Sequence, residues 1–98
     1  MYGTVARMKI KPGAEEQLRQ ISRDFESIQV PGFVSQQIYR LDAHPNEYIL
    51  VVAFESKDAY VANAGSPAQN DRYQQIRALL AAEPEWHDGE IVASYPPR

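Results

Sequence analysis

The sequence predicts an α+β domain in the order β-α-β-β-α-β, an antiparallel sheet with helices on one face. Three observations carry this. The stretch Tyr48 to Phe54 is an unbroken apolar run of β-branched and aromatic residues, short enough for a strand. Leu18, Ile21, Phe25 and Ile28 form an apolar stripe at helical spacing. Between them, Asp42 to Asn46 (DAHPN) is turn chemistry that joins two strand patterns as a hairpin, with His44 at its exposed tip.

Taken in order, Tyr2 to Ile10 alternates as a first strand. Tyr2, Thr4, Ala6, Met8 and Ile10 share one face, and Gly3, Val5, Arg7 and Lys9 the other. Lys11-Pro12-Gly13 turns the chain into a helix from Ala14 to about Ile28. Glu15 and Glu16 lie in its first turn, where the helix dipole favours carboxylates, and Glu15 can pair with Arg19. Val30-Pro31-Gly32 ends it, because a residue before proline avoids the helical region. A second strand covers Phe33 to Leu41, with Ser35, Gln36 and Gln37 making its middle polar. The central strand, Tyr48 to Phe54, is apolar on both parities, so something covers each side of it.

Ser56 then caps a short helix carrying Ala59, Tyr60 and Asn63, which breaks at Ala64-Gly65. Ser66-Pro67-Ala68-Gln69 has the form of a capping box and opens a helix to about Ala82, with Tyr73, Ile76 and Leu80 inward. Glu83-Pro84 stops it. Glu85 to Gly89 reads as a loop, Glu90 to Tyr95 as the last strand, and residues 96–98 as a tail. This order is the ferredoxin-like split βαβ arrangement, one domain over 1–98. Its bare sheet face needs a cover, and a second copy is the simplest one, so a homodimer is expected.

A net charge of −3 and the absence of any run of Lys and Arg argue against a nucleic-acid surface. No apolar run approaches a membrane span and no signal peptide opens the chain, so a cytoplasmic setting without a membrane partner is expected. The chain has no cysteine, which removes disulfides, thiol catalysis and thiolate metal sites. Its two histidines lie far apart, so no metal site is expected. Gly-rich phosphate loops and nucleophile elbows are also missing.

The segments MKIKPGAEEQL, the PGF opening the second strand, AFESKDAYVANAGSP and EWHDGEI resemble the antibiotic biosynthesis monooxygenase group of the dimeric α+β barrel superfamily, over about Tyr2 to Tyr95. The resemblance implies a homodimer with stacked sheets and a pocket between each sheet and its helices. It also implies oxidation of phenols or quinols by dioxygen without metal or flavin, the deprotonated substrate supplying the electrons. The alternative is a non-catalytic ligand-binding or stress-response dimer of the same fold. Haem-degrading relatives carry Asn, Trp and His where this chain has Ala6, Asn63 and Tyr73. A methyl group cannot hydrogen-bond bound oxygen and the axial imidazole is missing, so haem degradation is disfavoured.

The candidate site therefore lies at the corner after the central strand. Asn63 either holds a substrate oxygen or caps the broken helix. Tyr60 and Tyr73 either donate into the pocket or pack as core. Trp86 closes the pocket mouth or packs over the last helix. His87, beside Asp88, is the one side chain suited to take a phenol proton near neutral pH; as a loop histidine it otherwise faces solvent.

Overall fold

The computed structural model describes residues 1–96; Pro97 and Arg98 of the expected tail lie outside the described residues. The elements are β1 (Tyr2–Lys9), α1 (Glu15–Phe25), β2 (Phe33–Arg40), β3 (Glu47–Phe54), α2 (Lys57–Ala64), α3 (Pro67–Arg77) and β4 (Glu85–Glu90). The four strands form one antiparallel sheet in the order β2-β3-β1-β4, as the ferredoxin-like reading requires.

Register assigns every side chain to a face, because directly opposed residues project to the same side. Tyr2 opposes Phe54, Thr4 opposes Val52, Ala6 opposes Leu50 and Met8 opposes Tyr48. Ala6 and Met8 are buried, so this is the face beneath the helices. Gln36 and Ile38 join it from β2, and Trp86 and Asp88 from β4. Met8, Ile10, Ala14, Leu18, Tyr48 and Leu80 make the core at one end. An aromatic chain fills the other: Phe33 against Phe54 at 5.7 Å, Phe54 against Tyr60 at 5.6 Å and Tyr60 against Tyr2 at 5.3 Å. The opposite face carries Val5, Ile49, Val51, Gln37, Tyr39 and His87 and is covered by no other described element. Val5 is 43% and Tyr39 54% exposed.

Local chemistry explains the corner. Ser56 Oγ accepts from the Ala59 amide, and Ser66 Oγ from the Gln69 amide, both at 3.1 Å. Each serine thus satisfies an orphan donor of its helix, and Pro67 begins α3 where no amide hydrogen is needed. Gly32 lies against this corner with φ +77°, where a Cβ would stand 2.5 Å from Ala59 Cβ. The backbone turn and the close approach both require glycine.

Three elements differ from the sequence expectation by more than one residue at an end. α1 stops at Phe25 rather than Ile28, its end tightened by the bonds from Glu26 to Arg23 and from Ile28 to Phe25. α3 stops at Arg77 rather than Ala82. There Leu80 leaves the helix to bridge Ile10, while the amides of Lys11 and Ala81 bond Leu79 and Lys9 across to the end of β1. The largest difference is β4, which occupies Glu85–Glu90, the stretch expected as a loop. It is an edge strand with both faces exposed, held by its ladder to β1, so it needs no apolar alternation. Asp88-Gly89, a turn signal locally, lies within that ladder opposite Thr4 and Gly3. Val92 and Tyr95, in the expected last strand, are 89% and 93% exposed outside any strand. No described helix is long and apolar enough to cross a membrane.

Candidate functional site

α1 stands away from β2 and β3 over its last turns, and the gap is a cavity of about 440 Å³. Its walls are apolar. Phe25, Ile28 and Val30 close it from the α1 side, and Phe33, Ile38, Val52 and Phe54 from the sheet. Polar groups converge from the broken helix: Asn63 from α2, with Gln69 and Arg72 from α3. Gln36 projects from the sheet, and Glu26 sits exposed at the rim. The recess is open on one side, with Ile28 40% and Phe33 43% exposed; an apolar recess with a few placed polar groups is the usual form of a small-molecule site. A second depression of about 490 Å³ continues along α1 toward Arg40 and Tyr48, sharing Ser22 and Ile38 with the first.

The polar end has its own order. Arg72 Nε donates to Gln69 Oε1 at 3.2 Å, and Arg72 Nη2 reaches Asn63 Oδ1 at 3.5 Å. The capping role that sequence left open for Asn63 falls to its main chain. Its carbonyl accepts from the Gly65 and Ser66 amides, and its side chain is left to the cavity.

The other expected residues do not line this cavity. The Tyr60 phenol donates to Asp88 Oδ1 at 2.9 Å. Burial first, and then the Asp88 carboxylate, push it up to about 12, so it stays neutral and engaged. Because Phe54 lines the cavity and also packs on Tyr60, Tyr60 backs the wall instead of facing a guest. Tyr73 donates to Glu83 Oε2 at 3.1 Å and packs against Trp86 at 6.1 Å. Burial and then Glu83 raise its phenol, while Arg77 and Tyr73 lower the Glu83 carboxyl. Trp86 is paired with Ala6 on β1, away from β2 and β3, and does not close the cavity mouth.

His87 is the plainest departure. It opposes Val5 in the ladder, and Val5 belongs to the bare face. Alternation along β4 therefore puts His87 on the side of the sheet away from Asn63, where its Nε2 lies 3.2 Å from Glu85 Oε1. The structure brings Asn63 to the cavity and leaves His87 outside it.

Arg72 is the functional candidate that sequence reasoning passed over. Its signal was its spacing: Gln69, Arg72 and Ile76 fall at i, i+3 and i+7, one face of α3, and that face points inward. Among the described residues no cluster of His, Cys, Asp and Glu is suited to hold a metal ion.

The family model for antibiotic biosynthesis monooxygenase matches residues 1–84. No curated protein matches. Solved structures share the whole architecture. A protein from Chloroflexus aurantiacus J-10-fl, assigned by name to the same monooxygenases, is 25% identical with a TM-score of 0.77, covering 95% of this chain and 94% of its own. One from Caulobacter crescentus CB15, also so assigned, is 19% identical with a TM-score of 0.80, covering 94% and 90%. SnoaB, a cofactor-independent oxygenase from Streptomyces nogalater solved as an asparagine-to-alanine mutant, is 19% identical with a TM-score of 0.77, covering 98% and 97%.

Proposed function

The chain belongs to the antibiotic biosynthesis monooxygenase family, and on that premise we propose that it is a cofactor-independent oxygenase acting on a small aromatic or quinol. The observation that carries this reading is the cavity beneath α1, with apolar walls from Phe25, Ile28, Val52 and Phe54 and a polar end at Asn63. A phenol ring packs between the walls, and the Asn63 carboxamide orients its oxygen. After losing its hydroxyl proton the substrate is electron-rich enough to reduce dioxygen. Overall it gives up two hydrogens and takes in one oxygen atom, while the other oxygen atom leaves as water. The oxygenase SnoaB, with the same fold, supports the reading by likeness.

The proposed assembly is a homodimer with the bare sheet faces packed together. Val5 and Tyr39 stand exposed beside the half-buried Ile49 and Val51 on that face, an apolar patch of the kind that marks an interface. The same face carries Arg7 and Glu47 in a 2.6 Å ion pair, so it holds its own charge balance and suits a copy of itself. In such a dimer His87 belongs to the seam and not to the cavity.

A second reading, a binding protein without turnover, is favoured by one observation: the described lining contains no histidine, and its one carboxylate, Glu26, is exposed. An oxygen electrode separates the two. Uptake with at least one member of a panel of hydroquinones and polyphenols supports the oxygenase. Tight binding of such compounds with no uptake favours the binder.

A further inference from the structure

Arg72 differs from the other arginines among the described residues. Arg7 pairs with Glu47, Arg19 and Arg40 with Glu15, Arg23 with Glu16, and Arg77 with Glu83. Arg72, part-buried at the polar end of the cavity, pairs with no described carboxylate. Its two partners, Gln69 and Asn63, are neutral amides. The groups facing the same space are Gln36 from β2, the apolar Val52 and Phe54 from β3, and Glu26, which closes the end of α1 at the exposed rim. An Arg held against apolar walls with its charge uncompensated favours an anion, and its planar fork matches a delocalised oxygen anion.

We propose that Arg72 makes the cavity selective for aromatic hydroxyl compounds bound as phenolates, and that it thereby stands in for the base that the cavity lacks. The O–H bond of the guest breaks, its electron pair stays on the oxygen against the guanidinium, and the proton leaves to water. No side chain of the cavity need accept it. Asn63, on the same guanidinium, holds the other side of that oxygen. This rests on the oxygenase reading of the cavity and names the form of substrate that the reading takes.

An opposite charge within reach of an ionisable oxygen lowers its pKa by about 1–3 units, each unit a tenfold change in the balance of the two forms. The probes are 2-naphthol, its non-ionisable ether 2-methoxynaphthalene, and 2-naphthoate, titrated by fluorescence into the full chain over a pH series. Bound 2-naphthol is expected to ionise about one unit or more below its value in water. It should also bind about tenfold more tightly than the ether once ionised. Arg72→Gln removes both differences, and Arg72→Lys, which keeps the charge without the fork, retains part of them. The wild-type pH series stands alone if the glutamine variant folds poorly. Equal binding of naphthol and ether at every pH overturns the proposal while leaving the cavity a ligand site. Arg72-dependent binding of 2-naphthoate with no change in naphthol ionisation also overturns it, making Arg72 an acid-recognition residue. Binding of none of the three removes this proposal and the oxygenase reading together.

Discussion

Asn63→Ala separates a ligand-binding residue from a structural one, and the structure sets both magnitudes. Among the described residues the side chain makes one hydrogen bond, accepting from Arg72 at 3.5 Å, at the long limit for such a contact. Helix termination depends on the Asn63 carbonyl, which alanine keeps. Alanine is also the better helix former, by up to about 0.7 kcal/mol. The losses and gains offset, so stability should stay within about 0.5 kcal/mol of wild type. For a domain of this size that is a melting shift of no more than about 4 °C. A guest phenol that loses its amide partner in a desolvated cavity should lose about 1–3 kcal/mol of affinity. That weakens binding by roughly fivefold to more than a hundredfold. Thermal melting followed by circular dichroism and fluorescence titration of 2-naphthol measure the two effects on one preparation. A drop of about 8 °C or more with unchanged affinity would refute the reasoning, since it would make the side chain part of the fold.

Light scattering at micromolar concentration should give twice the chain mass, and Val51→Asp, which puts an unpaired carboxylate on the face to be buried, should yield monomer or unfolded chain; a wild-type monomer refutes the stacked-sheet dimer. Gly32→Ala and Gly13→Ala share a positive φ, but only the first brings a Cβ against Ala59. Both lose about 1–2 kcal/mol to the left-handed backbone, and Gly32→Ala should lose a further 1–3 kcal/mol or so, measured by urea unfolding; equal losses would contradict the close packing of the turn before β2 on α2. Because Tyr60 is raised to about 12, its neutral form is favoured in the folded chain. Its contribution to stability is complete below the ordinary tyrosine range and fades as pH climbs through about 12, so urea midpoints across that window should fall less steeply for Tyr60→Phe. Hemin titration should show no Soret band of a stoichiometric His-ligated complex, because neither Ala6 nor Tyr73 supplies what such a site needs; a sharp stoichiometric band would reassign the cavity.

What was legible in the sequence was local. The Tyr48–Phe54 run declared a strand with apolar residues on both sides, and Ser56 and Ser66 declared their caps through oxygens placed three residues before an orphan amide. Asn63 followed from them, because a residue on a short capped helix beside a strand end has few places to go. β4 was not local. Its Glu85–Glu90 ladder is specified by the unpaired edge of β1, and nothing in EWHDGE advertises a strand. That boundary also decided the chemistry. Were Glu85–Gly89 a loop, His87 would be free to turn toward the corner. As a strand, the stretch allows two orientations, and the pairing of Val5 with His87 selects the one facing away from the cavity. A general base placed by sequence on an unrecognised edge strand is thus as uncertain as the strand's register. A cation on a helix is tied to a stripe that sequence does reveal. Arg72 shares its stripe with Ile76, and the chain's other described arginines already have their carboxylates. The same ladder that carries the imidazole to the bare sheet face thus leaves the Arg72 guanidinium as the cation on the cavity wall.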